Sequence, residues 1–354
     1  MALTGRLIGD ELTPAGLVQA AATRTPLLPV DIGFRGRSRR VLVKLEMGNP
    51  TESVKYRTAL GLLAALHTEQ PLARGSAIVE STSGNLGVAL GHLAAQAGWH
   101  FQAVVDPKVP RPLLTRMRDL GVELLLVDVP DEHGSYLLTR LAAVRDLRQR
   151  RPELRWTDQY HSPAGSAIHR DVTAAELMEQ TGGRFDALFC AVSTGGTLSG
   201  ISAGLRRLGS TAAIYAVDVE GSLAVGGRPR PHLLNGIGAP RRSTLLDSSD
   251  YRRAFHVSDI QALALCRLFA RRTGLALGSS SGAVLGGYLA AEAAGEPMSR
   301  PVLISADGGE NYRGTVYDDG WLAERGVLAA VQAAEESAGA EGLTISSPEV
   351  SDDH

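Results

Sequence analysis

Short runs rich in β-branched and aliphatic residues alternate along this chain with longer stretches whose apolar positions recur at helical spacing. Residues 41–45, 77–80, 101–105 and 124–127 read as strands. Between them 56–67, 86–97 and 112–120 read as helices, the first with Leu60, Leu63 and Leu66 among its apolar positions. Residues 136–149 form a further helical stretch, and 187–192, 213–217 and 302–304 read as strands between helices. Strands alternating with helices predict an α/β fold of parallel sheets with helices on both faces. In such sheets the loops at the carboxyl ends of the strands carry the site.

A length of 354 residues exceeds one ordinary domain and predicts two lobes. A boundary falls near 162–166, after the Trp156-Thr157-Asp158-Gln159-Tyr160 run. The segment from 330 to 354 is rich in Ala, Glu and Ser and ends on acids, so it reads as a disordered tail. Formal net charge is −2 and hydrophobic residues make up 44% of the chain, which gives no reason to expect nucleic acid or an anionic membrane as partner. No apolar stretch reaches the roughly 20 residues of a membrane span. Residues 1–20 mix acids with apolar residues and show no secretory core, so the expected location is the cytoplasm. Cys190 and Cys266 both lie in apolar runs and read as buried thiols, and no Cys/His spacing suggests a metal site.

The cations are unevenly chosen. Of 36 basic residues only Lys44, Lys55 and Lys108 are lysine. Arginine forms no Schiff base and is effectively never deprotonated, so the three lysines are the candidates for amine chemistry. Lys55 stands at the start of a helix, where the positive end of the dipole disfavours an ammonium and favours the neutral nucleophile.

Three further loops carry candidate chemistry, the first two of them between a strand and a helix. Ser81-Thr82-Ser83-Gly84-Asn85 offers hydroxyls, a glycine and an amide at a helix start, a nest for a carboxylate. Ser193-Thr194-Gly195-Gly196-Thr197 offers small residues whose backbone N–H groups close around a phosphate. It lacks the lysine of a nucleotide P-loop. Gly278-Ser279-Ser280-Ser281-Gly282 matches the nucleophile elbow of serine hydrolases, but His354 is the sole histidine after it, at the chain's last position.

In order and spacing, the four loops resemble the fold-type II pyridoxal-phosphate (PLP) enzymes of the cysteine synthase and cystathionine β-synthase family, over about 25–328. The resemblance implies a two-lobed tryptophan synthase β-like fold. It places an N-terminal segment (1–49) mainly on the C-terminal lobe, a smaller substrate lobe at 50–161 and a larger PLP lobe at 162–329. It implies that Lys55 carries the cofactor as a Schiff base, that Asn85 bonds its phenolic oxygen, and that Ser193, Thr194, Gly195, Gly196 and Thr197 form the phosphate cup. Ser280 would face the pyridine nitrogen. Thr82, Ser83, Gly84 and Gln159 would hold the substrate carboxylate. A serine hydroxyl cannot protonate the ring as a carboxylic acid would, which suits β-elimination better than transamination.

Residues 80–87, 104–108, 130–134, 136–140 and 236–239 resemble the subfamily that joins O-phospho-L-serine and L-glutamate into N-(2-amino-2-carboxyethyl)-L-glutamate. That subfamily works toward 2,3-diaminopropionate, a building block of siderophores and peptide antibiotics. Ser193 stands where cysteine synthases carry glycine. The resemblance implies a homodimer acting on small amino acids through an aminoacrylate, with Arg140, Tyr160 and Ser193 around the leaving phosphate. Arg suits bidentate phosphate binding. The alternatives are a cysteine or S-sulfocysteine synthase and, in another class, a catalytically inactive PLP-binding partner protein.

Overall fold

The computed structural model describes residues 13–131 and 134–347. His133 and the acidic end at 351–354 lie outside the described residues, as do the first twelve. Helix α1 (Pro14–Ala21) opens with proline in its first turn and with Thr13 Oγ1 accepting from Gly16 N at 3.0 Å. Strands β1 (Leu27–Phe34) and β2 (Arg37–Leu45) form an antiparallel hairpin. Its two-residue turn, Arg35-Gly36, has φ of 49° and 75°, the backbone of a primed hairpin turn. The sequence reading did not find β1, because Arg-Gly is not the usual Asn-Gly or Asp-Gly signal.

Helix α2 (Lys55–Glu69) leads to β3 (Ala77–Ser81), α3 (Asn85–Ala97), β4 (His100–Val105), α4 (Arg111–Asp119), β5 (Glu123–Leu126), α5 (Leu137–Arg150) and β6 (Arg155–Trp156). The strands among these form a four-stranded parallel sheet in the order β5-β4-β3-β6. After α6 (Ala164–Ile168) and α7 (Ala174–Thr181) come β7 (Ala187–Ala191), α8 (Gly196–Arg207), β8 (Ala213–Val219), β9 (Arg253–Val257), α9 (Asp259–Thr273), α10 (Ser279–Ala293) and β10 (Pro301–Ser305). The chain then runs through α11 (Asp319–Glu324), α12 (Leu328–Ala340) and β11 (Thr344–Ser346). The larger sheet has the order β11-β1-β2-β10-β7-β8-β9. It is parallel from β2 through β9, and β1 and β11 close one edge in antiparallel pairing.

Apolar residues cover both faces of the larger sheet. Phe189, Tyr215 and Tyr288 pack on the side of α9 and α10, with Phe189 and Tyr215 stacked at 4.6 Å. Leu188, Leu198 and Ile201 pack on the side of α7 and α8. The smaller sheet has its own core, in which Leu60, Leu63, Leu90 and Phe101 meet. Burial on both faces explains why these strands read as continuous apolar runs rather than alternating ones.

Two expectations change. Residues 330–346 are not a disordered tail. The alanine-rich stretch is α12, as its helix propensity favours, with Val331 buried and Glu335 paired to Arg267 and Arg271 of α9. Beyond it β11 pairs with β1 and buries Ile345. The segment before residue 49 also does not behave as one piece. β1 and β2 belong to the larger sheet, whereas α1 buries Leu17 and Ala21 in the smaller sheet's core against α2.

Candidate active site

The four loops found in the sequence all reach one cleft. Lys55, Thr82, Ser83, Asn85, Gln159, Tyr160, Ser193, Thr194, Gly195, Thr197 and Ser280 line it together. Three of the loops, those before α2, α3 and α8, follow the carboxyl ends of the parallel-paired strands β2, β3 and β7, where a doubly wound fold exposes its site, and the fourth, 278–282, joins α9 to α10.

Lys55 is the first residue of α2, and its N–H donates to Ser53 Oγ at 3.1 Å. Burial removes water from its ammonium and holds the pKa below the ordinary lysine range, with Glu80 partly opposing. The amine thus tends toward the neutral, nucleophilic form. Arg57, two residues on, is no surface charge. It is wholly buried, donates to Glu46 Oε2 at 2.9 Å and to Ala21 O at 3.0 Å, and pairs with Glu176 at 2.6 Å.

At the start of α3, Thr82 Oγ1 accepts from Gly84 N at 3.1 Å and from Gly87 N at 3.0 Å, which leaves its own hydrogen to donate into the cleft. Gln159 is held against this loop by a bond from Nε2 to Ser81 O at 2.8 Å. Asn85 Nδ2 donates to Asp307 Oδ2 at 2.7 Å.

Residues 193–197 turn from β7 into α8. Gly195 sits at φ +88°, and a Cβ there would stand 2.2 Å from Ser243 Oγ, so the turn requires glycine. Beneath it the buried His169 Nε2 lies 3.1 Å from Thr58 Oγ1 and 3.4 Å from Thr197 Oγ1. Burial pushes that imidazole's pKa well below the usual histidine value. Ser193 Oγ donates to Gly238 O at 3.0 Å. Ser280, in the first turn of α10, is buried and lines the cleft.

Arg140 is also buried, on α5, and pairs through Nε with Asp106 Oδ2 at 3.2 Å. Its Nη1 has no hydrogen-bond partner among the described residues. Arg140 and Tyr160 lie together with Ser193 on an annex of the cleft. Burial raises the Tyr160 pKa, and Arg140 beside it works against that rise.

Two cleft residues and one behind the cleft escaped the sequence reading. Asp307, which follows β10, bonds Asn85 and accepts from Tyr312 OH at 2.7 Å. Burial lifts its pKa to about 6, and its Oδ1 is unpartnered among the described residues. Its place just past a strand's carboxyl end was the available signal. Cys190 reads as a buried thiol and is one, but it also lines the cleft, with its pKa pushed up to about 12 by burial. Glu80 is wholly buried behind the nest. It accepts from Ser81 N at 2.8 Å, Gln159 N at 3.1 Å, Trp156 Nε1 at 3.4 Å and the Thr157 hydroxyl. Burial raises its pKa to about 7.

The residues present fit a pyridoxal phosphate. The cleft offers a desolvated amine, a glycine-built cradle at a helix N-terminus for the phosphate, and a hydroxyl and an amide for the ring. Comparisons with known proteins agree. Residues 18–307 match the family model for pyridoxal-phosphate-dependent enzymes. The chain is 38% identical over 299 residues to the N-(2-amino-2-carboxyethyl)-L-glutamate synthase of Ralstonia nicotianae, covering 84% of this chain and 88% of that one. It is 36% identical over 302 residues to the synthase of the same name from Cupriavidus metallidurans, covering 84% and 89%. The solved structure of O-ureido-L-serine synthase superposes with a TM-score of 0.75 at 27% identity, over 87% of this chain and 98% of that one. The chain belongs to the family of pyridoxal-phosphate-dependent enzymes, with the fold-type II architecture and among the β-replacement synthases.

Proposed function

We propose that this enzyme joins O-phospho-L-serine and L-glutamate into N-(2-amino-2-carboxyethyl)-L-glutamate and phosphate. The observation that carries the reading is Arg140, a buried guanidinium with an unpartnered Nη1 beside Tyr160 and Ser193 at the cleft. A buried cation without a full set of partners is costly, and an anionic leaving group would satisfy it. The names of the two relatives support the same product.

In this proposal Lys55 tethers the cofactor, Ser193, Thr194, Gly195, Gly196 and Thr197 bind its phosphate, and Asn85 and Ser280 face its ring. Bound pyridoxal phosphate supplies the electron sink that makes the substrate's Cα–H acidic and lets the β-substituent depart. Thr82, Ser83, Gly84 and Gln159 hold the α-carboxylate and fix Cα before Lys55. Lys55 Nζ takes the α-proton as general base, which its lowered pKa permits. Arg140, Tyr160 and Ser193 receive the phosphate as the Cβ–O bond breaks. The glutamate amine then bonds Cβ, and Lys55 returns the proton to Cα. The working form in this proposal is a cytoplasmic homodimer serving 2,3-diaminopropionate synthesis.

The test is to incubate the holoenzyme with phosphoserine and glutamate and to follow phosphate release and product mass. The coupled product is expected. Product with sulfide or thiosulfate alone would make the enzyme a cysteine or S-sulfocysteine synthase. No phosphate with any nucleophile would leave a PLP-binding partner protein.

A further inference from the structure

The annex that holds Arg140 extends past the leaving-group position. It shares Ser83, Tyr160, Ser193, Asn235 and Gly236 with the main cleft, so the two are continuous. Its far wall comes from separate elements: Lys108 after β4, Ser135 before α5, and His232 from the loop that follows β8. We propose that this annex is the subsite for the distal carboxylate of the incoming amino acid, with Lys108 as its principal cation. The inference rests on the proposed function, because it needs a second amino acid to enter the cleft.

Charge placement carries the argument. Asp106 is the acid of the annex, and it is already engaged: Oδ2 pairs with Arg140 Nε at 3.2 Å and Oδ1 accepts from the Lys108 backbone N–H at 2.8 Å. Among the described residues Lys108 Nζ donates to the Gly134 carbonyl alone, at 3.4 Å, and lies over the Tyr136 ring at 5.5 Å from its centroid. Among the described residues no carboxylate pairs with it. Among the described residues, then, the exposed Lys108 ammonium has no counter-charge in the annex and the buried Arg140 Nη1 has no hydrogen-bond partner. His232, half-buried, lines the same annex, its Nδ1 3.1 Å from Leu234 O. Two cationic groups around one acid leave an excess of positive charge.

The order of the reaction makes use of both cations. The amine of the nucleophile must reach the β-carbon that the phosphate has just left. A dicarboxylic amino acid placed that way carries its side chain away from the α-carboxylate nest and into the annex. An amino acid with a neutral side chain gains nothing from Lys108. The annex thus selects for a side-chain carboxylate rather than for an amine alone.

The test measures KM for glutamate and for 2-aminobutyrate, with saturating phosphoserine, in the wild-type holoenzyme and in Lys108→Ala and Lys108→Arg. Visible cofactor absorption checks that each variant is loaded. A charge-assisted pair is worth enough that Lys108→Ala should raise KM for glutamate roughly tenfold or more. KM for 2-aminobutyrate should move less than about twofold by the same reasoning, and Lys108→Arg should keep most of the glutamate preference. Equal shifts for both amino acids, or no shift for glutamate, would overturn the annex assignment and leave the proposed function standing. A wild-type enzyme that releases phosphate yet couples no amino acid would overturn both.

Discussion

Lys44 and Lys55 are both removed from water, yet they sit in opposite chemistry. Lys44 lies near the carboxyl end of β2 in the larger sheet, 0% exposed, and is closed in by the Glu176 carboxylate, Gln180 Oε1 at 2.7 Å and Thr25 O at 2.8 Å. Burial lowers its pKa, and Glu176 opposes that by holding the charged form. Lys55 faces the same loss of water with no carboxylate bonded to it, so burial prevails. Burial alone does not make a lysine reactive; the partners decide whether the charge is kept. Lys44 is one member of a buried ion cluster with Glu46, Arg57 and Glu176 that ties β2, α2 and α7 together. The cluster anchors the first turns of the helix that presents Lys55.

Lys55→Ala separates the two lysines most sharply. It should lower kcat for β-replacement by roughly 10³-fold or more, since tether and base are lost together. Borohydride trapping followed by peptide mass should place the modified lysine at Lys55 in the wild type, and a label on Lys44 or Lys108 would break the comparison. Lys44→Met should do the reverse. It leaves Glu176 short of a partner in the interior and should cost about 3–5 kcal/mol of stability, read by urea unfolding. Turnover per folded molecule should stay within about twofold.

Glu80 extends the comparison to an acid kept from water without a counter-ion. Its folded pKa is about 7 against 4.5 in the unfolded chain, so the folded state holds the extra proton. Its contribution to stability is present below pH 4.5 and is lost as pH rises through 7, by about 3 kcal/mol. Asp307 acts in the same direction at lower pH, with a folded pKa of about 6. Buried His169 acts the other way below its ordinary pKa, so the readout is the difference from Glu80→Gln: between pH 5 and 7 the wild-type unfolding midpoint should fall relative to that of the variant. A wild-type midpoint that rises relative to the variant's over this range would contradict the assignment.

Arg140→Ala gives the smallest effect. It removes one charge-assisted partner of the leaving phosphate and should lower kcat/KM for phosphoserine by roughly ten- to a hundredfold. The visible absorption of the bound cofactor should be unchanged. Unaltered phosphoserine turnover would end its role.

Much of this was legible along the chain. The helices and the inner strands are long apolar runs with clear periods, and their local signals do not depend on neighbours. Three loops of the cleft were legible as clusters of small or hydroxyl residues at a helix start, although 278–282 follows α9 and not a strand, and the fourth was legible from its lysine. β1 was not, because Arg35-Gly36 makes its primed turn without the usual residues. The ordering of 330–346 was not, because α12 takes its stability from α9 through Glu335 and Val331, partners remote in sequence.

The sequence by itself determined the α/β alternation, the two lobes' worth of core, the scarcity of lysine and the four loops that carry chemistry. These are properties of composition and short-range pattern. Only the tertiary structure decided which lysine is paired and which is not, that Arg57 is interior, that Asp307 and Cys190 line the cleft, and that Glu80 is buried behind it. Each of those depends on what a side chain meets across tens or hundreds of residues, and desolvation with its partner set is a property of the folded surroundings, not of the residue.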